Sequence, residues 1–477
     1  MHLRVLWLLV LTSLLVLLGH PNAQALGISN ASGLVGNNNI TWSYPVRVQL
    51  LTVSSTEALP APQPPVVGSV APVFPDYLQR SEIISAYEKE VHQSPDSFLL
   101  LGQLAAQYLK RFREVGDVED LLRAEQAARQ SLAIQPHHNG GASMLLASAL
   151  LSQHQFREAL QVVTDSQQLV PDNPNVVSLI ASIQMELGDY EAADQLLKSL
   201  TNEAANSGHN AVAARYLELT GNLASGQKLM EEAMQQMDLF YTNPAEIRAW
   251  FHVRAGDLAF LSGDLALSEQ RYREAVELYP QDIPAFTGLA RLYVAQHRWQ
   301  EALDAANQGI ELVPLVETLG YKADAQRALA DQDGAAATEE LIGVVAHLSK
   351  VKGIYDRALA VYYTEHGINL PEALQIARRE VAVRDDIYAE DTLAWAAAAN
   401  GRWQEAQRAA QQATRYGTED ALVQFHAGMI ALHSGNREEA IKRLTQAVSL
   451  NPQFHHKYAD EARQVLAELV PSTKSAS

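Results

Sequence analysis

Two histidine pairs and a methionine stripe are the residues of this chain whose types and spacing invite chemistry. His137-His138 and His455-His456 carry imidazoles that could ligate a metal. Each pair follows a proline, Pro136 or Pro452, in a loop or at a helix start. Adjacent residues on a helix point apart, so neither pair is a good chelate alone. Met230, Met234 and Met237, with Phe240, fall on one helix face. Such a stripe could grip a soft metal or a peptide, but methionine at helical spacing is ordinary core filling. The chain has no cysteine. That excludes disulfides, thiolate metal sites, cysteine nucleophiles and lipid attachment through an N-terminal cysteine. There is also no phosphate loop, no Gly-rich strand-to-helix turn and no His-Glu-x-x-His helix. The expectation is a binding protein rather than an enzyme, with no cofactor and no bound metal.

The elements that would position a binding surface come next. The net charge is -19. Such acidity repels phosphate backbones and anionic lipid, so nucleic acid is excluded as a partner. His2 and Arg4 precede an apolar run from Val5 to Leu18, a Gly19-His20-Pro21 break, and small residues at Ala23 and Ala25. This is the layout of an export signal over 1–25, removed in the mature protein. The run is shorter than the ~20 residues that span a bilayer. An uncleaved anchor is the alternative. The expected compartment is therefore periplasmic or extracellular, with no membrane insertion after cleavage.

Residues 26–76 read as a linker, Asn- and Gly-rich up to Asn39 and then studded with Pro60, Pro62, Pro64, Pro65, Pro72 and Pro75. Proline at that density keeps the chain extended. Within it, Trp42, Tyr44, Val46, Val48 and Leu50 alternate with polar residues, which is strand periodicity. A strand over 42–52 could dock on the rest of the chain or add to a partner's sheet; otherwise the segment is a tether.

From Tyr77 the pattern is helical and repetitive. Gly263-Asp264, Ala275 and Pro280 are echoed by His297-Arg298, Gly309 and Pro314, with the two prolines 34 residues apart. Gly401, Trp403, Ala406 and Ala413 recur as Gly435, Arg437, Ala440 and Ala447, again 34 apart. Each unit is two antiparallel helices joined by a tight turn. Small residues such as Ala302, Ala306 and Gly309 let the helices approach, and Pro314 ends the unit. About ten units start near Asp96, Gly140, Pro174, Gly208, Ala249, Ile283, Glu317, Ile354, Ile387 and Ala421. The units from Gly208 and from Glu317 are degenerate. The first is expected to carry an insertion of about ten residues around Tyr108 to Asp120, between its helices. Ile83 to His92 and Glu461 to Leu469 read as capping helices, which a solenoid needs to cover its end faces.

A 34-residue helical hairpin of this pattern resembles the tetratricopeptide repeat (TPR). The resemblance implies an all-α, right-handed superhelical solenoid over 77–470, with a disordered tail at 471–477. Beyond the period, the chain resembles a group of exported bacterial tetratricopeptide-repeat proteins of unassigned activity. The likeness runs from Phe98 to Leu469. It is carried by Ala249-Trp250, Leu312-Val313-Pro314-Leu315, Asp391-Thr392-Leu393-Ala394-Trp395-Ala396, Tyr416 to Ala421, Phe425 to Ile430, and Asn451-Pro452-Gln453-Phe454.

Repeats of this kind are similar to scaffolds that bind peptides in a concave groove, walled by the first helix of each hairpin. In that register Trp250, Asp257, Phe260, Arg291, Tyr388, Asp391, Trp395, Phe425 and Met429 are the candidate groove residues. Aromatic anchors beside a few charges suit peptide recognition. The Lys/Asn clamp that related repeats close on a C-terminal carboxylate is not visible there, and Asp257 would repel a carboxylate. Basic or apolar segments of a protein partner fit better. Repeats leave no room for a separate catalytic domain. The leading reading is an exported scaffold for protein-protein interaction. The alternative is a ligand-binding accessory subunit of a transport or polysaccharide-export system. A wide groove would favour the first and a closed pocket near 317–350 the second.

Overall fold

Every hairpin among the described residues turns on a residue with positive φ: seven are glycines and three are His154, His297 and Ala330. A left-handed residue ends the first helix and aims the second back along it. The structure is a computed structural model that describes residues 79–470 apart from 168–172, 200–205, 241–242 and 352–356; these belong to one unit. The segments expected to be an export signal, a linker with a possible strand over 42–52 and a C-terminal tail lie outside the described residues.

Twenty-two helices and no strand occur among the described residues. Helix α1 (Arg80–Gln93) covers the N-terminal end. Ten hairpins follow: α2 (Phe98–Val115) with α3 (Val118–Ile134), α4 (Gly140–Ser152) with α5 (Phe156–Gln167), α6 (Pro174–Glu186) with α7 (Tyr190–Ser199), α8 (Ser207–Leu219) with α9 (Leu223–Asp238), α10 (Ala245–Leu261) with α11 (Leu265–Leu278), α12 (Ile283–Ala295) with α13 (Trp299–Leu312), α14 (Val316–Ala328) with α15 (Gln332–Val351), α16 (Arg357–His366) with α17 (Leu370–Val383), α18 (Ile387–Ala399) with α19 (Trp403–Ala413), and α20 (Ala421–His433) with α21 (Arg437–Leu450). Helix α22 (Tyr458–Leu469) closes the C-terminal end. Side-chain oxygens of Ser97, Asn173, Asp282, Asp386 and Asp420 accept backbone N–H groups at helix starts.

The expected insertion at Tyr108 to Asp120 is not a loop. Apolar residues Leu101, Leu104, Tyr108 and Phe112 continue at helical spacing, so α2 runs for 18 residues and stops at Gly116, φ +68°. The extra turns bury Tyr108, Leu109 and Phe112 in a cluster with Ile84 of α1. Small residues stand at the helix crossings, as the period requires: Ala302, Ala406 and Ala440 have no accessible surface. Met230 and Met234 are core filling, with Met237 half-buried beside them, while Phe240 is exposed.

The solenoid winds tightly enough for its turns to touch. The hairpin turn of one repeat docks on the exit loop of the hairpin five repeats later. Gly188 lies against Asp385, Gly221 against Gly417, and Gly263 against Leu450; Gly116 sits the same way on Val313. Polar contacts follow the same spacing. The Arg384 guanidinium donates to Glu186 at 2.7 Å, the Leu223 N–H to Glu419 at 2.9 Å, and the Asn451 amide to the Phe260 carbonyl at 2.7 Å. These contacts join successive turns of the solenoid.

Candidate functional site

The first helices of the hairpins from α8 onward turn their inner faces on one cavity of about 430 Å³. That is within the usual size range of a small-ligand site. One register position explains its charge. Six residues before the hairpin turn, four consecutive repeats carry Arg215, Asp257, Arg291 and Asp324. The same position in neighbouring hairpins is adjacent along the solenoid, so Arg291 meets Asp257 of the preceding repeat at 2.9 Å. Tyr272 supports this ladder from behind. It is fully buried, because a Cβ on Gly256 or Gly288 would come within 2.8 or 2.6 Å of its ring. Its hydroxyl donates to Asp257 at 2.7 Å.

Eight carboxylates and five guanidiniums line the cavity, an excess of three carboxylates. Most pair with each other. Asp257 accepts from Arg254 at 2.6 Å and Arg291 at 2.9 Å. Burial works against its charge, but these two cations hold its carboxyl below the usual range. Glu218 accepts from Arg254 at 2.8 Å, from the Tyr388 hydroxyl at 3.1 Å and from Arg215. Arg291 also lies over the Phe260 ring at 4.4 Å, and Arg215 over Tyr388 at 5.1 Å. Arg384 is held by Glu380 and Glu186, both at 2.7 Å, with Asp386 at 3.3 Å. Glu317 is different: its carboxylate accepts one hydrogen bond, from Tyr321 at 3.0 Å. Burial pushes its carboxyl up, and Arg291 offsets part of that.

A histidine-rich wall lines the cavity near the C-terminal cap. His366 meets Asp324 at 2.9 Å, and the rings of His455 and His456 stack at 4.6 Å. Burial, with His455 adjacent, brings His456 down to about 3. His137 and His138 are both exposed. Among the described residues no three His, Cys, Asp or Glu side chains are placed to hold a metal ion.

Of the nine residues named from sequence, Asp257, Phe260, Arg291, Tyr388 and Asp391 line the cavity. Asp391 is engaged by His426 at 3.0 Å. The other four pack elsewhere. Trp250 is buried edge-on against Phe251 between α9 and α10. Trp395 stacks on His426 at 4.3 Å, and its indole N–H donates to the Tyr458 hydroxyl at 3.3 Å. Phe425 is fully buried and stacks on Tyr458 at 4.8 Å, with Met429 packed against the same cluster. These aromatics seat α22. Sequence reasoning missed Arg215, Glu218, Arg254, Glu317, Arg357 and Arg384. The register of Arg215, Asp257, Arg291 and Asp324 was the signal available for part of that set.

Two family models of the tetratricopeptide repeat match the chain, over residues 150–216 and 392–453. No curated protein sequence matches it. Solved structures similar to it include yeast Tom70, at 12% identity, covering 79% of this chain and 99% of that one, with a TM-score of 0.33. PilW, a widely conserved type IV pilus biogenesis factor, is 19% identical over 46% of this chain and 96% of its own, TM-score 0.36. The Cut9–Hcn1 hetero-tetramer of APC/C gives 11% identity, 83% and 98% coverage, and a TM-score of 0.33. Among the described residues no helix is long and apolar enough to cross a membrane.

Proposed function

We propose that this chain, which matches the tetratricopeptide repeat over residues 150–216 and 392–453, is an exported, non-catalytic scaffold that binds protein partners through basic segments. The observation that supports this most is the inner wall: first helices of successive hairpins converge on one cavity in which carboxylates outnumber guanidiniums. A lysine or arginine side chain, or an N-terminal amine, entering from a partner would satisfy that excess. The apolar run from Val5 to Leu18 followed by Ala23-Gln24-Ala25 supports export. Two measurements test the reading. A photo-crosslinking residue at Leu422, on the cavity wall, should capture a partner protein in the native host, and one at exposed Lys442 should not. Equal capture at both positions would count against recognition through the inner wall. N-terminal sequencing of the protein recovered outside the cytoplasm should start at Leu26.

A second reading is an accessory subunit that holds a small ligand. The single cavity of about 430 Å³, within the usual range for a small-ligand site, favours it. Native mass spectrometry of the protein purified from its host should then show a retained compound.

A further inference from the structure

We propose that the cavity binds a small zwitterion, a free amino acid or short peptide, with its ammonium group on Glu317 and its carboxylate on Arg357. This rests on the small-ligand reading above and names the ligand class.

The argument starts from which charges on the cavity wall already have partners. Arg215, Arg254, Arg291 and Arg384 each donate to at least one carboxylate. Arg357 makes no hydrogen bond to any described group. Its nearest carboxylate oxygen is that of Asp386, at 3.8 Å. Asp386 is already engaged: it faces Arg384 at 3.3 Å and caps α18 through the N–H groups of Tyr388 and Ala389. Arg357 keeps 28% of its side-chain surface accessible, and it lines the cavity. Glu317 is the complementary case. It lines the same cavity, takes one hydrogen bond from a phenol, and forms no ion pair among the described residues.

A partly buried charge without a close counter-charge has lost solvation that a ligand's opposite charge can replace. Here one cation and one carboxylate are both under-partnered, on the adjacent first helices α14 and α16. A simple anion would satisfy Arg357 but face the carboxylate excess. A simple cation would satisfy Glu317 and leave Arg357 as it is. A molecule with both charges satisfies both, and Arg357 offers the fork that a carboxylate matches. Leu315, Val361 and Leu422 supply apolar wall for the carbon frame between the charges.

The test uses the purified full chain with L-leucine, L-arginine, L-glutamate and glycyl-L-leucine, followed by calorimetry. At least one should bind saturably. N-acetylating or amidating the best ligand should each weaken it about tenfold or more. Glu317→Gln should weaken the free amine by a similar factor and leave the N-acetyl form unchanged. Arg357→Gln should do the same for the free carboxylate and leave the amide unchanged. This pattern cannot come from general unfolding. Binding that is indifferent to both substitutions would overturn the proposal. Native mass spectrometry separates the two levels. A compound of another class, retained by the wild type and lost on filling the cavity with Val361→Trp, would sink the zwitterion and keep the small-ligand reading. No retained compound and no saturable binding would sink both.

Discussion

The contact between successive solenoid turns can be isolated by comparing two glycines that share a backbone conformation. Gly221 and Gly435 both end a first helix, at φ +75° and +78°. Alanine at either forfeits the ease of that left-handed geometry, about 1–2 kcal/mol, offset by roughly 0.4–1 kcal/mol from a stiffer unfolded chain. Gly435→Ala should therefore cost about 1 kcal/mol or less, because a Cβ there meets nothing within 4 Å. At Gly221 the same Cβ would stand 2.8 Å from the carbonyl carbon of Gly417 and closer still to its oxygen. Both neighbours are backbone, so the turn and the exit loop must separate. That separation adds an overpacking cost of about 1–3 kcal/mol. It also strains the Leu223 N–H to Glu419 hydrogen bond at 2.9 Å. The expected total for Gly221→Ala is about 2–4 kcal/mol. Urea unfolding of the two variants gives the comparison. Repeat arrays unfold in sections, so hydrogen exchange at the Leu223 amide is the sharper measurement. Its protection should fall in Gly221→Ala and stay unchanged in Gly435→Ala. Equal destabilisation, with Leu223 still protected, would refute the docking of turns.

Three further substitutions follow from the same structure. Ala302→Leu, at a helix crossing with no accessible surface, should cost about 1–3 kcal/mol and lower Tm. Asp282 caps α12 while buried, and burial brings its carboxyl up to about 7. A carboxyl raised on folding loses stability as pH climbs from its unfolded value toward its folded one. Asp282→Asn keeps the cap without the charge, so in paired urea melts its gain on the wild type should be largest at pH 8, smaller at pH 5 and nearly absent below the unfolded carboxyl's own pKa. Ala330 holds φ +62° at an exposed hairpin turn. Ala330→Gly should stabilise by about 0.5–1 kcal/mol in the same assay.

Local order was legible in the sequence because it is written within one 34-residue period. Gly188, Gly263, Gly401 and Gly435 mark hairpin turns, and Ala302, Ala406 and Ala440 mark crossings. Both capping helices were legible from their apolar spacing. The insertion expected around Tyr108 was misjudged because a longer period can lengthen helices as well as loops. Leu101, Leu104, Tyr108 and Phe112 held the information, since their spacing never leaves the helical one. The docking of Gly221 on Gly417 was not legible. It depends on how small rotations between hairpins accumulate over five repeats, and no single window encodes that sum.

The candidate site inherits this split between local and accumulated geometry. Arg215, Asp257, Arg291 and Asp324 share one register position, so their alternation could be read along the chain. Whether they face water or a cavity could not, and that decides what their charges are worth. On an open groove, water would screen Glu317 and Arg357, and neither would need a partner. Gathered on one cavity wall, the same two side chains are partly withdrawn from water and lack a close counter-charge. Trp395 and Phe425 show the reverse case. They read as groove anchors from their spacing, yet α22 covers them, because the last hairpin has no successor to bury its apolar face. The enclosure that gives the cavity its chemistry and the cap that takes the aromatics away from it are both consequences of ending a short, tightly wound array.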